Sequence, residues 1–139
     1  MSHPIYFHYT NSLYKLPTSK ELKKTINFLF SNEGYSLLRI DYVFCSDAYL
    51  LQINQSHLNH DYYTDIITFD LSENKDSVIG EVYISCDRVK ENAKIYKTSY
   101  QTELKRVILH GALHLCGYED KTKRKQSVMR QKEQFYLNL

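Results

Sequence analysis

The sequence predicts an α+β fold, a four-stranded mixed sheet covered by helices. Three observations predict this class. A chain of 139 residues suits one domain with one core. The predicted elements follow the order strand, helix, strand, helix, two strands and three helices. The two consecutive strands are joined by a polar turn, which predicts an antiparallel hairpin, while the helix between strands two and three permits a parallel crossover elsewhere.

The first half of the chain alternates strands with helices. Strands are expected where β-branched and aromatic residues are concentrated. Helices are expected where apolar residues recur three and four positions apart behind a capping residue, as at Leu22, Ile26 and Leu29. In chain order these elements are a strand over Ile5–Tyr9, a helix over Lys20–Phe30, a strand over Ser36–Cys45 and a helix from Ser46 to about Gln55.

The second half begins with a predicted polar loop over His57–Thr64 and continues into the hairpin. In the second strand of the hairpin, every second residue from 78 to 84 falls on one side, and these residues are Val78, Gly80, Val82 and Ile84. The predicted elements are strands over Asp65–Asp70 and Val78–Ser85 and helices over Ser85–Lys97, Thr102–Cys116 and Lys121–Tyr136. The whole chain, residues 1–139, is expected to form a single domain without linkers or repeats.

The helix that ends near Cys116 carries a candidate metal site. His110 and His114 are four residues apart and lie about 40° from each other around the helix axis, so both imidazoles can reach one ion. Gly117 can adopt the left-handed conformation that ends a helix, which places Asp120 near the same ion. The alternative is that both histidines pack in the helix and Asp120 is a surface acid. A glycine stop followed by an acid favours the metal site.

The segment His110-Gly-Ala-Leu-His-Leu-Cys-Gly-Tyr118 resembles the signature of the YbeY family, metal-dependent endoribonucleases of ribosomal RNA maturation. Residues 54–69 and Gly80–Ile84 are similar to two further family segments, so the resemblance spans about residues 40–139. It implies a zincin-like arrangement with a central metal-binding helix. It also implies that Asp120 is the third ligand, at a position where the family usually has histidine.

One departure from the family pattern concerns catalysis. Many members carry an arginine, implicated in catalysis, at the position that Leu58 occupies here. An arginine there would stabilise charge on a phosphate in the transition state. His60 is the candidate that would substitute for it, beside His114 as the other candidate catalytic residue. The alternative for His60 is a solvated histidine in a loop.

The ligand set limits the chemistry without fixing it. Two imidazoles and a carboxylate leave a coordination position open, which is typical of a hydrolytic zinc site. Zinc is expected from the family, although iron, manganese or nickel would suit the same ligands. Attack on RNA by water or by a ribose 2′-OH remains open. A zinc peptidase is less favoured, because Gly111 stands where the His-Glu-x-x-His motif carries the glutamate that acts as general base.

Charge and composition suggest where the protein acts and what it binds. Net charge is only +2, but basic residues follow the metal site, and Lys121, Arg124 and Lys125 are the candidate contacts to RNA phosphates. A solvated helix face is the alternative. No apolar run of about 18 residues is present, and the N-terminus lacks a signal-peptide pattern. The three cysteines are an odd number and are far apart in the sequence, which suits a reduced cytoplasm.

Two function classes follow from the resemblance. The first is a single-strand-specific endoribonuclease for small-subunit rRNA 3′-end maturation and ribosome quality control, with ribosomal RNA and the small ribosomal subunit or its assembly factors as partners. The second is a metal-stabilised assembly or RNA-binding factor with little catalysis, which Leu58 keeps open. Structural roles are expected for three acids that could also accept a proton: Asp65, Glu81 and Glu119.

Overall fold

The computed structural model describes residues 4–60, 64–74 and 76–139, and it confirms the predicted α+β class and element order. A 3₁₀ turn at Ser12–Tyr14 is an addition to that order. The predicted loop starts too early, because the second helix runs to Leu58 and includes His57 in its last turn. The elements are β1 Ile5–Tyr9, α1 Ser19–Asn32, β2 Ser36–Cys45, α2 Asp47–Leu58, β3 Ile66–Asp70, β4 Ser77–Ser85, α3 Cys86–Ile95, α4 Tyr100–Leu115 and α5 Lys123–Leu137.

The four strands form one mixed sheet in the order β1-β2-β4-β3. β1 and β4 each pair with β2 in parallel, while β3 pairs with β4 in the predicted antiparallel hairpin. β3 is therefore an edge strand, and α4 packs against it and against β4. This arrangement places the C-terminal part of α4, which carries His110 and His114, beside the edge of the sheet formed by β3.

The hydrophobic core lies between the sheet and its helices. Inward-facing residues of β2 and β4, including Tyr42 and Val82, are fully buried against residues of α4 such as Ile108. The three cysteines are unpaired and buried, which suits small apolar core residues. In the part of the chain that the structure describes, every helix is too short or too polar to cross a membrane.

Gly111 allows α4 to lie unusually close to the sheet. A Cβ atom at this position would lie 2.9 Å from Val82 Cγ1 and 3.1 Å from Ile66 Cδ1, closer than normal van der Waals contact. The glycine costs about 1 kcal/mol of helix propensity relative to alanine. Its role in packing between helix and sheet accounts for that cost.

The end of α4 is fixed by a Schellman motif. Cys116 caps the helix, and Gly117 adopts the predicted left-handed conformation with φ of 94°. The Gly117 amide donates to the carbonyl of His114 at 3.0 Å, and the Tyr118 amide donates to the carbonyl of Leu113 at 3.1 Å. The chain therefore reverses at the end of the helix, and the residues after Tyr118 return towards the two histidines.

The Glu33 carboxylate accepts hydrogen bonds from several side chains and holds the segment after Gly117 in place. Glu33 follows α1, its side chain is 8% exposed, and it accepts a hydrogen bond from Tyr118 Oη at 2.7 Å. It also accepts hydrogen bonds from Tyr136 Oη and, at 3.2 Å, from Lys132 Nζ, both on α5. Burial alone would raise the pKa of Glu33, but these donors outweigh it and hold that pKa below its usual range.

Replacing Glu33 with glutamine is expected to remove part of the stability that the protein has above about pH 4.5. A carboxyl whose folded-state pKa is lowered stabilises the fold above its unfolded pKa, and this contribution disappears as the pH falls through the folded value. Urea unfolding at several pH values should therefore show a shallower loss of stability below pH 5 in the variant than in the wild type. Glu91→Gln is the control, because Glu91 is exposed on α3; equal slopes for wild type and Glu33→Gln would contradict the prediction.

Candidate metal centre

The structure brings His110, His114 and Asp120 together at the end of α4. Asp120 Oδ2 lies 3.3 Å from His110 Nε2 and 3.7 Å from His114 Nε2. One ligand atom from each of the three side chains lies within 4.8 Å of the other two. The carboxylate therefore points towards both imidazoles, as the chain reversal at Gly117 requires.

The spacing of these atoms fits a transition-metal ion. Zinc bonds of about 2.0–2.2 Å in a tetrahedral arrangement separate neighbouring ligand atoms by about 3.3–3.6 Å. Both separations from the Asp120 oxygen, 3.3 and 3.7 Å, lie close to this range. Two imidazole nitrogens and a carboxylate oxygen are ligands that zinc accepts, and other divalent transition metals accept them too.

Glu133 of α5 contacts His110 through Nδ1, the ring nitrogen that does not face Asp120. Its Oε2 lies 2.5 Å from His110 Nδ1, while its Oε1 accepts a hydrogen bond from Arg106 Nη1 at 3.1 Å. Burial would raise the pKa of Glu133, but His110 and Arg106 together hold that pKa below its usual range, so the carboxylate is ionised. An ionised carboxylate can only accept, so this hydrogen bond places a proton on His110 Nδ1 and leaves Nε2 as the nitrogen that faces Asp120.

Arg106 is fully engaged in this support. It donates to both oxygens of Glu103, from Nε at 2.9 Å and from Nη2 at 2.7 Å, in addition to its bond to Glu133. Glu103 stands in the first turn of α4, where an acid complements the helix dipole. In the structure its side chain is 3% exposed and forms a buried ion pair with Arg106.

The surroundings of His114 favour the neutral form of its imidazole. Burial is the main cause that lowers the pKa of its imidazole, and the adjacent His110 ring lowers it further. The two rings meet edge to face with centroids 4.5 Å apart. Neutral imidazole is the form that ligates metals, so the lowered pKa favours ligation by His114 at neutral pH.

The three candidate ligands open onto a cleft of about 710 Å³. Its walls come from β3, from α4 and from one face of α5. Asp65 lies within it, half-buried, and burial raises the pKa of its carboxyl group. The residues that line the cleft are Thr64, Asp65, Ile66, Thr68, Asp70, Arg106, Val107, His110, His114, Leu115, Asp120, Gln126, Met129, Arg130 and Glu133.

Leu58 and His60, the two positions discussed for charge stabilisation, lie outside the cleft wall. Leu58 is the last residue of α2 and is 39% exposed, and His60 follows it with its amide bonded to the carbonyl of Asn54. Asp61, Tyr62 and Tyr63, which connect His60 to the cleft at Thr64, are outside the described residues. The structure therefore leaves the proposed catalytic role of His60 as a prediction.

The three basic residues predicted to bind RNA also lie outside the cleft wall. Arg124 and Lys125 border a separate surface depression beside Gly117, and Lys125 forms an exposed ion pair with Glu119 at 2.6 Å. Lys121 is exposed in the turn before α5. All three are accessible next to the site, whereas the cleft itself takes its basic side chains from Arg106 and Arg130.

The sequence interpretation missed Glu133 and Arg106. Glu133 lies 23 residues from His110 and on another helix, so spacing along the chain gives no link between them. A signal was present in α5, where Met129, Glu133 and Tyr136 form the buried face. An acid on the buried face of a helix needs a partner, and such an acid marks a candidate support for a metal ligand.

Comparison with known proteins identifies the family. The family model described as Endoribonuclease YbeY matches residues 8–139. A Cytophaga hutchinsonii protein of that name is 47% identical over 135 residues, covering 97% of this chain and 94% of the relative. A Porphyromonas gingivalis protein of the same name is 49% identical over 111 residues, covering 80% of this chain and 73% of the relative.

The fold comparison agrees. The solution structure of a Thermotoga maritima protein matches with a TM-score of 0.66 and 29% sequence identity, covering 96% of this chain and 87% of that one. The resemblance read from the histidine segment is thus confirmed over nearly the whole chain. This chain belongs to the YbeY endoribonuclease family.

Proposed function

We propose that this protein is a single-strand-specific, zinc-dependent endoribonuclease of the cytoplasm. Its proposed role is small-subunit rRNA 3′-end maturation and ribosome quality control, with ribosomal RNA and the small ribosomal subunit or its assembly factors as partners. The observation that carries the proposal is the convergence of His110, His114 and Asp120 at the floor of an open polar cleft. Family membership supports RNA as the substrate.

The proposed chemistry divides between the ion and the chain. When bound, a divalent ion polarises a phosphoryl oxygen and lowers the pKa of water. His110, His114 and Asp120 hold the ion, and Glu133 fixes the orientation and tautomer of His110. The cleft receives the phosphodiester from the solvent side of these ligands. Water and the ribose 2′-OH both remain candidates for the attacking group.

Two other functions compete with this proposal. A metal-stabilised assembly or RNA-binding factor is favoured by Leu58, because leucine stands where the resemblance implies a catalytic arginine. A zinc peptidase is disfavoured by Gly111, which has no side chain to accept a proton and whose Cβ direction points into Val82 and Ile66 of the sheet. The proposed endoribonuclease therefore needs a direct test of cleavage.

The test uses purified protein and a single-stranded RNA labelled at one end. Cleavage is followed with and without chelator, beside the His114→Ala variant and a double-stranded RNA of the same sequence. We expect chelator-sensitive cleavage of the single strand that is lost in the variant. Binding of RNA without cleavage by the metal-loaded wild type would favour the assembly factor, and hydrolysis of unfolded protein would favour the peptidase.

Reversing the charge of Arg124 and Lys125 together is expected to weaken RNA binding and to flatten its salt dependence. Each lost phosphate contact reduces the slope of log K against log salt by about 0.7 for a single strand. Fluorescence anisotropy with a labelled RNA over a range of salt concentrations measures this slope. Lys90→Glu with Lys94→Glu is the matched control, because both residues are exposed on α3 and the change in net charge is the same; an unaltered slope in the first variant would exclude Arg124 and Lys125 from the RNA interface.

A further inference from the structure

The cleft contains two arginines, and only one of them is free to bind a substrate. Arg106 uses its guanidinium on Glu103 and Glu133. Arg130 is exposed, and in the described parts of the chain it makes no hydrogen bond, ion pair or ring contact. Its guanidinium therefore keeps its full set of donors available at the cleft wall.

Arg130 is placed on the face of α5 that looks onto the metal ligands. Gln126, Arg130 and Glu133 line the cleft at spacings of four and three residues, so they share one side of the helix. Gln126 Nε2 donates to the Asp120 carbonyl at 3.0 Å, and Glu133 holds His110 at 2.5 Å. These two contacts fix α5 on either side of Arg130, so its backbone has a defined position relative to the site.

The carboxyl groups in the cleft wall would repel a phosphodiester, and a cation at the position of Arg130 would offset that repulsion. Glu133 in the cleft wall is paired with Arg106 and His110. Two further carboxyl groups outside the candidate ligand set also line the cleft: Asp65 precedes β3, and Asp70 is its last residue. A phosphodiester that enters beside them meets like charge. Among the described residues, Arg130 is the one unpaired cation in the wall that offsets this repulsion.

Leu58 is a second reason to expect a cation in the cleft wall, because catalysis needs a group that stabilises charge on the phosphate. The resemblance implies an arginine at the position of Leu58, which is the end of α2 and lies outside the cleft wall, and leucine there can donate nothing to a phosphate. We propose that Arg130 supplies the missing guanidinium from α5, binding the non-bridging oxygens of the scissile phosphate across the cleft from His114 and Asp120. This inference rests on the proposed endoribonuclease function.

The role of Arg130 is electrostatic. As the attacking oxygen forms its bond to phosphorus and loses a proton, the bond to the leaving oxygen breaks and that oxygen gains one. Negative charge builds up on the non-bridging oxygens in between. A guanidinium donates two parallel N–H bonds to such oxygens and remains protonated throughout. The interaction is stronger in the transition state than in the ground state, so it raises kcat.

The experiment compares Arg130→Ala and Arg130→Lys with wild type under single-turnover conditions on single-stranded RNA. Loss of one transition-state donor lowers kcat by about 100-fold or more, so we expect that fall for alanine with a smaller change in KM. Lysine, a cation without the planar fork, should recover part of the rate. Metal content by elemental analysis and the melting temperature should stay at wild-type values, and the salt slope of RNA binding should fall by about 0.7.

Arg39→Ala is the matched control, since Arg39 is an arginine paired with Asp41 away from the cleft. Its kcat should equal that of the wild type. An Arg130→Ala protein that retains metal and cleaves at the wild-type rate would overturn the inference while leaving the proposed function intact. A wild-type protein with no chelator-sensitive cleavage would overturn the proposed function, and with it any catalytic role for Arg130.

Discussion

Glu133→Ala is expected to destabilise the protein by about 3 kcal/mol and to weaken metal binding by about 10- to 100-fold. The stability loss follows from burial, because the Glu133 side chain is 4% exposed and its removal leaves Arg106 and His110 each without one partner. The loss of affinity follows from His110, whose ring would no longer be held in the tautomer that presents Nε2 to the ion. Urea unfolding and competition with a chromophoric chelator measure the two effects.

Glu133→Gln separates the two effects. Glutamine keeps the shape of the side chain but removes the negative charge that holds His110 Nδ1 protonated and balances Arg106. We expect metal affinity to fall as in the alanine variant, with a smaller loss of stability. A metal-free alanine variant as stable as the metal-free wild type would show that the buried carboxylate does not support the fold.

Asp120→Ala is expected to reduce metal content below one ion per chain and to abolish chelator-sensitive cleavage. It removes the only carboxylate of the candidate ligand set, so the loss of affinity should exceed the 10- to 100-fold typical of an outer partner. Elemental analysis after dialysis against a weak chelator measures the first effect, and the RNA assay measures the second. Stability of the metal-free protein should change little, because the Asp120 side chain is 43% exposed.

Asp120→His tests whether this position is the third ligand. Histidine is the residue that the resemblance implies at this position, and it offers a nitrogen in place of the carboxylate oxygen. We expect this variant to keep one ion per chain and part of the activity. Full metal content in Asp120→Ala would show that Asp120 is not a ligand and that the two histidines bind the ion without this carboxylate.

The sequence predicted those parts of the molecule that depend on local pattern. The order of strands and helices follows from periodicity, and the hairpin of β3 and β4 follows from two alternating segments around a polar turn. The convergence of His110, His114 and Asp120 follows from helix geometry and a glycine stop, both of which act within eleven residues.

The support around the site could not be predicted in the same way, because it joins distant parts of the chain. Glu133 reaches His110 from another helix, and Glu33 reaches Tyr118 across 85 residues. Such pairs depend on how the helices dock, which sequence spacing does not encode. The same reason explains why the sequence does not single out Arg130: its place in the cleft wall depends on the packing of Met129 and Glu133 beneath α5.

The close contact at Gly111 also restricts how this scaffold can evolve. Any larger residue there would push into Val82 and Ile66 and would separate the ligand-bearing helix from the edge of the sheet. A mutation to glutamate, which would complete a His-Glu-x-x-His motif in one step, therefore carries a folding penalty before any new activity can be selected. The packing of one helix on one strand thus keeps descendants of this protein from acquiring peptidase chemistry by that route.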